Sequence, residues 1–180
     1  TDALEAIEHQ SQATCTMSHL LDALLDISNP ESRAFKPECI DFKMVSLLEE
    51  LRAEFTDIAR EKGIGLIMTP CGATVHSDPA LGGQALRNLL SNAIKYTQRG
   101  SVEVRARQVD DRVRIDIADT GIGIAPGDLS RIYDPFFQIG GAARGPHSGY
   151  GLGLSIVQRI VRLLGAELQV QSQPGKGSTF

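Results

Sequence analysis

Several features that would assign a class to this sequence of 180 residues are missing from it. Its three cysteines, Cys15, Cys39 and Cys71, are far apart and form no Cys-x-x-Cys pair, which argues against a disulfide framework or a zinc site. There is no apolar run near the ~20 residues that a membrane span needs, and no signal peptide. We therefore expect reduced thiols, a cytoplasmic location and no membrane contact by this chain.

An excess of basic residues and the two common phosphate-binding motifs are missing as well. The net charge of −4 disfavours a nucleic-acid partner. The P-loop pattern G-x-x-x-x-G-K-[ST] fails because Lys176 is followed by Gly177. The Rossmann pattern fails because Gly149, Gly151 and Gly153 are spaced G-x-G-x-G. The sequence therefore predicts neither of these two nucleotide sites.

Helix and strand signals alternate along the chain without a strict βαβ order. Apolar residues on a three-or-four rhythm predict an amphipathic helix in residues 1–28, ended by Asn29-Pro30 and followed by a polar linker. Further helices are predicted at 45–62, from Asp78-Pro79 onwards and after GYGLGLS, with strands at IGLIM, TVHS, SVEVRARQ, RVRIDIAD and AELQVQS. We expect an α+β fold, a mixed sheet covered on one face by helices.

The polar face of the helix that contains LRNLLSNAIKYT is unusual. Helical spacing places Asn88, Asn92 and Lys95 opposite a stripe of leucines, although Asn is a mediocre helix former. An Asn oxygen suits a hard cation such as Mg²⁺, and Lys95 suits a phosphate. Taken alone, the same pattern is also typical of a solvated helix face.

Two other short patterns are suggestive but individually weak. Asp119 ends an apolar row of a strand and is followed by Gly121 and Gly123, so it suits a buried acceptor for an amine, or simply a tight turn. The glycines of GYGLGLS run into a predicted helix, whose N-terminal amides favour an anion.

The order and spacing of these three elements, with DPFF and the closing GKGSTF, resemble the ATP-binding catalytic domain of sensor histidine kinases. These belong to the superfamily of gyrase, chaperone, histidine kinase and mismatch-repair ATPases. The resemblance runs from about Asp41 to Phe180 and implies a Bergerat-type α/β sandwich. It also implies ATP and Mg²⁺ as cofactors, and transfer of the γ-phosphoryl group to a histidine.

The resemblance also assigns roles to individual residues. Asn92 is the implied Mg²⁺ ligand, assisted by Asn88; Asn88 and Lys95 are the implied catalytic residues, and Asp119 is the implied acceptor for the adenine amino group. In the superfamily's hydrolases a Glu stands about where Asn88 is, so we expect ATP to be held without efficient hydrolysis. The other implied ATP-binding residues are Tyr96, Gly121, Gly123, Phe136, Phe137, Arg144, Gly149, Tyr150, Gly151, Leu152, Gly153 and Thr179.

The family's phosphoryl acceptor is not found in this sequence. That motif is a His followed by an acidic residue and then a Pro, whereas His9 precedes Gln10 and His19 precedes Leu20. Residues 1–29 resemble instead the second helix of the dimerisation hairpin, with 30–40 as linker and 41–180 as catalytic domain. We expect a fragment of a longer protein, since the chain starts without Met. The resemblance implies a homodimeric parent and a response-regulator receiver domain as partner, and it leaves open whether the parent is anchored in the inner membrane.

Three other functions remain open at this point. Asn88 in place of Glu disfavours an ATP hydrolase, and DPFF with the preceding helix disfavours a serine-directed anti-sigma kinase. The third is a non-catalytic nucleotide sensor or scaffold. Gly82 and Gly83, in the first turn of the Asn-bearing helix, and Asn29-Pro30 are departures that fit impaired coupling.

Overall fold

The computed structural model describes residues 36–69, 71–139 and 151–180. The predicted helix in 1–28, the assignment of 1–29 to a dimerisation hairpin and most of the linker 30–40 lie outside the described residues. So do Arg144, Gly149 and Tyr150. The fold below lies in one compact unit, Pro37–Phe180.

Ten elements make up the described fold. The helices are Met44–Glu61 (α1), Pro79–Tyr96 (α2) and Gly153–Leu163 (α3). The strands are Ile40–Lys43 (β1), Gly65–Thr69 (β2), Thr74–Ser77 (β3), Ser101–Val109 (β4), Arg112–Asp119 (β5), Gln171–Gln173 (β6) and Gly177–Thr179 (β7). These bounds agree with the sequence-based predictions to within one residue at α1 and β2.

A five-stranded mixed sheet carries the fold. Its strand order is β2-β4-β5-β7-β6, with β2 parallel to β4 and the other neighbours antiparallel. The predicted pairing of the two alternating segments is confirmed, because β4 and β5 pair from Val102 with Asp119 to Val109 with Arg112. A separate two-stranded sheet joins β1 and β3.

The helices pack against one face of this sheet. Val102, Val104 and Ala106 of β4 and Ile117 of β5 are buried among the leucines of α1 and α2, while Arg105 and Arg107 on the other face are exposed. Burying such apolar side chains drives the association of the layers. The predicted α+β class with helices on one face is confirmed. Within the described ranges, there is no helix whose length and apolarity would allow it to cross a membrane.

The start of α2 follows the predicted chemistry and explains one of its glycines. Asp78 caps the helix by accepting from the amides of Ala80 and Leu81, both at 3.0 Å. A Cβ atom at Gly83 would lie 2.9 Å from the Arg87 guanidinium and 3.2 Å from Leu47 of α1. Gly83 therefore permits close packing of α1 on α2, whereas a Cβ atom at Gly82 would meet nothing within 4 Å.

One predicted strand is shorter than expected. AELQVQS reads as a strand throughout, but only Gln171–Gln173 of β6 forms a ladder, and 166–170 does not. The reason is the partner, because β7 offers only the three residues Gly177–Thr179 for pairing. Hydrogen-bonded length in a sheet depends on the neighbouring strand as well as on local pattern.

Candidate functional site

The polar face of α2 meets the first residue of α3. Asn88 and Asn92 are partly buried, and a Cβ atom at Gly153 would lie 3.4 Å from Asn88 Oδ1 and 3.4 Å from Asn92 Nδ2. The Asn88 amide NH₂ group donates to the Gln84 carbonyl at 3.1 Å, so its oxygen is free to face α3. Two of the patterns that the sequence suggested separately are therefore adjacent.

Among the described residues, there is no side chain that caps the N-terminus of α3. Leu152 occupies the cap position without a side-chain hydrogen bond, and there is no acidic residue in the first turn. The Ser155 hydroxyl donates to the Leu152 carbonyl at 2.8 Å and does not cap the helix. Exposed amides at a helix N-terminus, together with the helix dipole, attract an anion.

Lys95 and Tyr96 lie in the last turn of α2. The Lys95 ammonium is 5.2 Å from the centre of the Tyr96 ring, within range of a cation–π contact. Burial lowers the pKa of Lys95 and raises the pKa of Tyr96. Tyr96 is nevertheless 43% exposed.

Asp119 ends β5 with its carboxylate partly buried. It accepts from the Gly121 amide at 2.8 Å, and the Ser178 amide also bonds to it. Burial raises the pKa of Asp119, and the two amide bonds oppose that rise. The carboxylate thus has fixed orientation, because its partners are backbone groups.

Gly121 and Gly123 are needed for packing against protein backbone. A Cβ atom at Gly121 would lie 2.5 Å from the Tyr96 carbonyl oxygen, and one at Gly123 would overlap the Gln173 carbonyl. Gly123 also has φ +67, which favours glycine. The sequence suggested that these glycines make room for a flat ring. The structure gives them a different reason, and their place beside a ring stays a prediction.

Phe136 and Phe137 differ in environment. Phe136 is 59% exposed, has φ +66 and donates its amide to the Gly151 carbonyl at 3.0 Å, so it is not a core residue. The Phe137 ring is partly buried, with the Arg131 guanidinium 4.4 Å from its centre. A Cβ atom at Gly151 would lie 2.8 Å from the Phe137 carbonyl oxygen. The described residues on either side of segment 140–150 are therefore in backbone contact.

A cavity of about 310 Å³ opens beside Asp119. Thr179 of β7 lines it, together with Ser172, Ser178 and Lys176 from the β6–β7 hairpin. Of these, only Thr179 was predicted from sequence. The Ser172 hydroxyl accepts from the Ile124 amide at 2.7 Å and lies 2.9 Å from the Ser178 hydroxyl, which fastens the hairpin to the loop after β5.

Lys62 is a further residue that sequence reasoning missed. It follows α1 directly, and its ammonium donates to the carbonyls of Ile94 and Lys95 at the end of α2, both at 2.6 Å. A lysine next to a helix-ending glycine reads as a surface residue in sequence. Only the packing of α1 against α2 places it here.

The comparison with family models decides the class of this fold. Residues 77–180 match the model of the histidine kinase-, DNA gyrase B-, and HSP90-like ATPase family, which is more than half of the chain. The chain belongs to this ATPase family. The resemblance seen in the sequence is confirmed, and so is the assignment to an ATP-binding catalytic domain of the histidine kinase type.

Curated relatives and solved structures agree with that assignment. The chain is 33% identical over 164 residues to sensor histidine kinase RcsC of Escherichia coli K12, covering 89% of this chain and 17% of RcsC. It is 36% identical over 170 residues to the autoinducer 2 sensor kinase/phosphatase LuxQ of Vibrio vulnificus, covering 89% of this chain and 20% of LuxQ. The chain therefore spans about a fifth of the length of these relatives.

Among solved structures, full-length ShkA in complex with AMPPNP matches with a TM-score of 0.73 and 31% identity. The match covers 90% of this chain and 35% of ShkA. The histidine kinase AdeS of Acinetobacter baumannii matches with a TM-score of 0.69 and 25% identity, over 92% of this chain and 77% of AdeS.

Proposed function

We propose that this chain is the ATP-binding and phosphoryl-donating module of a two-component sensor histidine kinase. It binds ATP and presents the γ-phosphoryl group to a histidine on a dimerisation hairpin, for relay to an aspartate of a response regulator. The observation that carries the proposal is the meeting of Asn88 and Asn92 with the uncapped start of α3 at Gly153. Amide oxygens and free backbone amides are the groups that a metal-bound polyphosphate needs.

The two ends of the site have separate roles in this proposal. The base end consists of Asp119, the loop to Ile124 and the β6–β7 hairpin, with Asp119 accepting from the adenine amino group. The phosphate end consists of Asn88, Asn92, Lys95 and the first turn of α3. Tyr96 lies at the boundary and offers its exposed ring to the nucleotide. Phe136, Gly151 and Leu152 flank the segment 140–150, in which Arg144, Gly149 and Tyr150 stay predicted ATP-binding residues.

Mg²⁺ fits the phosphate end. Its preferred ligands are oxygens, and it usually keeps several waters beside one or two protein groups and the substrate phosphates. The Asn88 oxygen is oriented toward Gly153 because the amide NH₂ group bonds to Gln84, and Asn92 lies one turn further along α2. Asn92 is the proposed ligand and Asn88 its support. When bound, Mg²⁺ supplies neutralisation of phosphate charge.

In this proposal the chain contributes to the reaction by positioning the γ-phosphoryl group for transfer. The bond between the γ-phosphorus and the β–γ bridging oxygen breaks, a phosphorus–nitrogen bond forms to the acceptor imidazole, and ADP leaves. Lys95 and the α3 amides stabilise charge on the phosphates. Asn88 cannot accept a proton near neutral pH, so water is not activated and the phosphoryl group is kept for the histidine.

The remaining features of the proposal concern the whole protein. The parent is a homodimer through its hairpin, and the module works in the cytoplasm, where ATP and the receiver domain are available. The relatives with sensor kinase names support this placement. The acceptor histidine is supplied by a hairpin outside this chain, since His9 and His19 lack the acceptor motif.

Transfer to a supplied hairpin tests the proposal. The chain is mixed with labelled ATP, Mg²⁺ and a separate acceptor hairpin of a sensor histidine kinase, and acid-labile, base-stable label on the hairpin is counted. We expect label with the native chain and about a tenfold or greater loss with Asn92→Ala. The matched control is Ser91→Ala, an exposed neighbour on α2, which should keep full transfer. Label on serine, or none on any acceptor from a chain that binds ATP, would contradict the proposal.

A further inference from the structure

At the end of α2, every backbone carbonyl from Ala93 to Tyr96 accepts a hydrogen bond. The Ala93 carbonyl accepts from the amide and the hydroxyl of Thr97, and the Tyr96 carbonyl accepts from the Ile122 amide at 3.2 Å. The two carbonyls between them, of Ile94 and Lys95, both accept from the Lys62 ammonium. One side chain from another helix therefore completes the end of α2.

This arrangement brings the Lys62 ammonium to the backbone of Lys95, whose side chain carries a second positive charge. Lys62 has its pKa lowered by burial and then by the charge of Lys95, and burial also lowers the pKa of Lys95. Among the ion pairs of the described residues, neither lysine has a carboxylate partner. The charge of Lys95 opposes that of Lys62, and an incoming polyanion relieves this repulsion.

We propose that Lys62 is a positioning residue for the nucleotide phosphates: it fixes the last turn of α2, and with it Lys95. The inference rests on the proposed function, because it names a further residue of the same site. Lys62 acts through Lys95 and the helix end, since its ammonium donates to the Ile94 and Lys95 carbonyls there.

Binding of ADP, measured by calorimetry, and of adenosine, measured by NMR, tests this role. Both ligands carry the base, and only ADP carries phosphates, so a phosphate-end residue should affect ADP alone. We expect Lys62→Gln to weaken ADP binding by roughly three- to tenfold, as for loss of a charge-assisted hydrogen-bonding group. Adenosine binding, followed by NMR titration, should be unchanged. Lys62→Arg keeps the charge and the donors, and should bind ADP as the native chain does.

Two further variants separate a local role from a general one. Lys43→Gln removes the same charge at a site where, within the described ranges, the ammonium bonds to the Thr74 hydroxyl alone, at 2.8 Å, and should leave ADP binding unchanged. In a Lys95→Gln background the loss caused by Lys62→Gln should shrink, because the group it positions is gone.

Several results overturn the inference. Equal losses of ADP and adenosine affinity in Lys62→Gln would assign Lys62 a purely structural role, and unchanged ADP affinity would remove it from the site. An undiminished loss in the Lys95→Gln background would contradict action through Lys95. If the native chain binds neither ligand, the proposed function fails and this inference fails with it, whereas the other results leave the proposed function standing.

Discussion

The two ends of the proposed site are built in different ways. At the base end, backbone groups contact backbone groups: Asp119 accepts from amides, and a Cβ atom at Gly123 would overlap the Gln173 carbonyl. At the phosphate end, side chains of α2 face an uncapped helix start at Gly153. The groups of the base end therefore bond to one another within the protein, whereas the phosphate end offers donors to a ligand.

This difference separates stability from binding. Changes at the base-end glycines, Gly121 and Gly123, should disturb the fold, because a Cβ atom there would meet backbone atoms and the loop after β5 is held by the β6–β7 hairpin. Changes at the phosphate end should reduce affinity and leave the fold intact, because those groups have few partners among the described residues.

The largest effect is expected for Gly123→Ala. The new methyl group would overlap the Gln173 carbonyl and require φ +67, so the chain should lose about 3 kcal/mol of unfolding free energy. Denaturant unfolding measures the loss. The matched control is Gly175→Ala, which has φ +75 but nothing within 4 Å of its Cβ position. It should lose only about 1 kcal/mol from backbone strain. Equal losses would mean that packing against the hairpin contributes little.

A smaller effect, on binding alone, is expected for Asn92→Ala. Removing the proposed Mg²⁺ ligand should weaken binding of a non-hydrolysable ATP analogue about tenfold with Mg²⁺ present, and much less when Mg²⁺ is chelated. Unfolding free energy should stay within about 0.5 kcal/mol of the native value, since Asn92 is on a helix surface. A large loss of stability would break the separation between the two ends.

The smallest effect concerns the pH dependence of stability through Asp119. Burial raises its pKa in the folded state, so the folded chain holds this proton at pH values where the unfolded chain has lost it. Its contribution to stability is therefore present below the unfolded pKa and lost as pH rises through the folded pKa. Relative to Asp119→Asn, the native chain should become less stable from pH 4 upwards, by no more than about 2 °C in Tm by pH 7. The opposite slope would mean that the amide bonds outweigh burial.

Local pattern predicted the elements of the fold well. The leucine stripe of α2, its Asp78-Pro79 start and the alternation of β4 and β5 are set by spacing and capping, which are visible in the sequence. The position of Asp119 at the end of an apolar row was also visible. The adjacency of Asn88, Asn92 and Gly153 followed only from the family resemblance, because α2 and α3 are distant in sequence.

Features that depend on distant packing were not predicted. Gly83 is explained by its contacts with Leu47 and Arg87, and Gly123 by a carbonyl of the β6–β7 hairpin. The sequence around each glycine does not indicate these contacts. The role of Lys62 depends on where the end of α1 meets the end of α2. The length of β6 depends on β7. Each of these needs the register of elements that sequence periodicity does not provide.

Calorimetry shows whether the chain binds a nucleotide through Asp119. ADP and a non-hydrolysable ATP analogue are titrated, with and without Mg²⁺, into the native chain and Asp119→Ala. We expect micromolar-range binding by the native chain, tighter for the analogue with Mg²⁺, and loss of binding in Asp119→Ala while the variant remains folded. Absence of binding by the native chain, or full binding by the folded variant, would contradict this account.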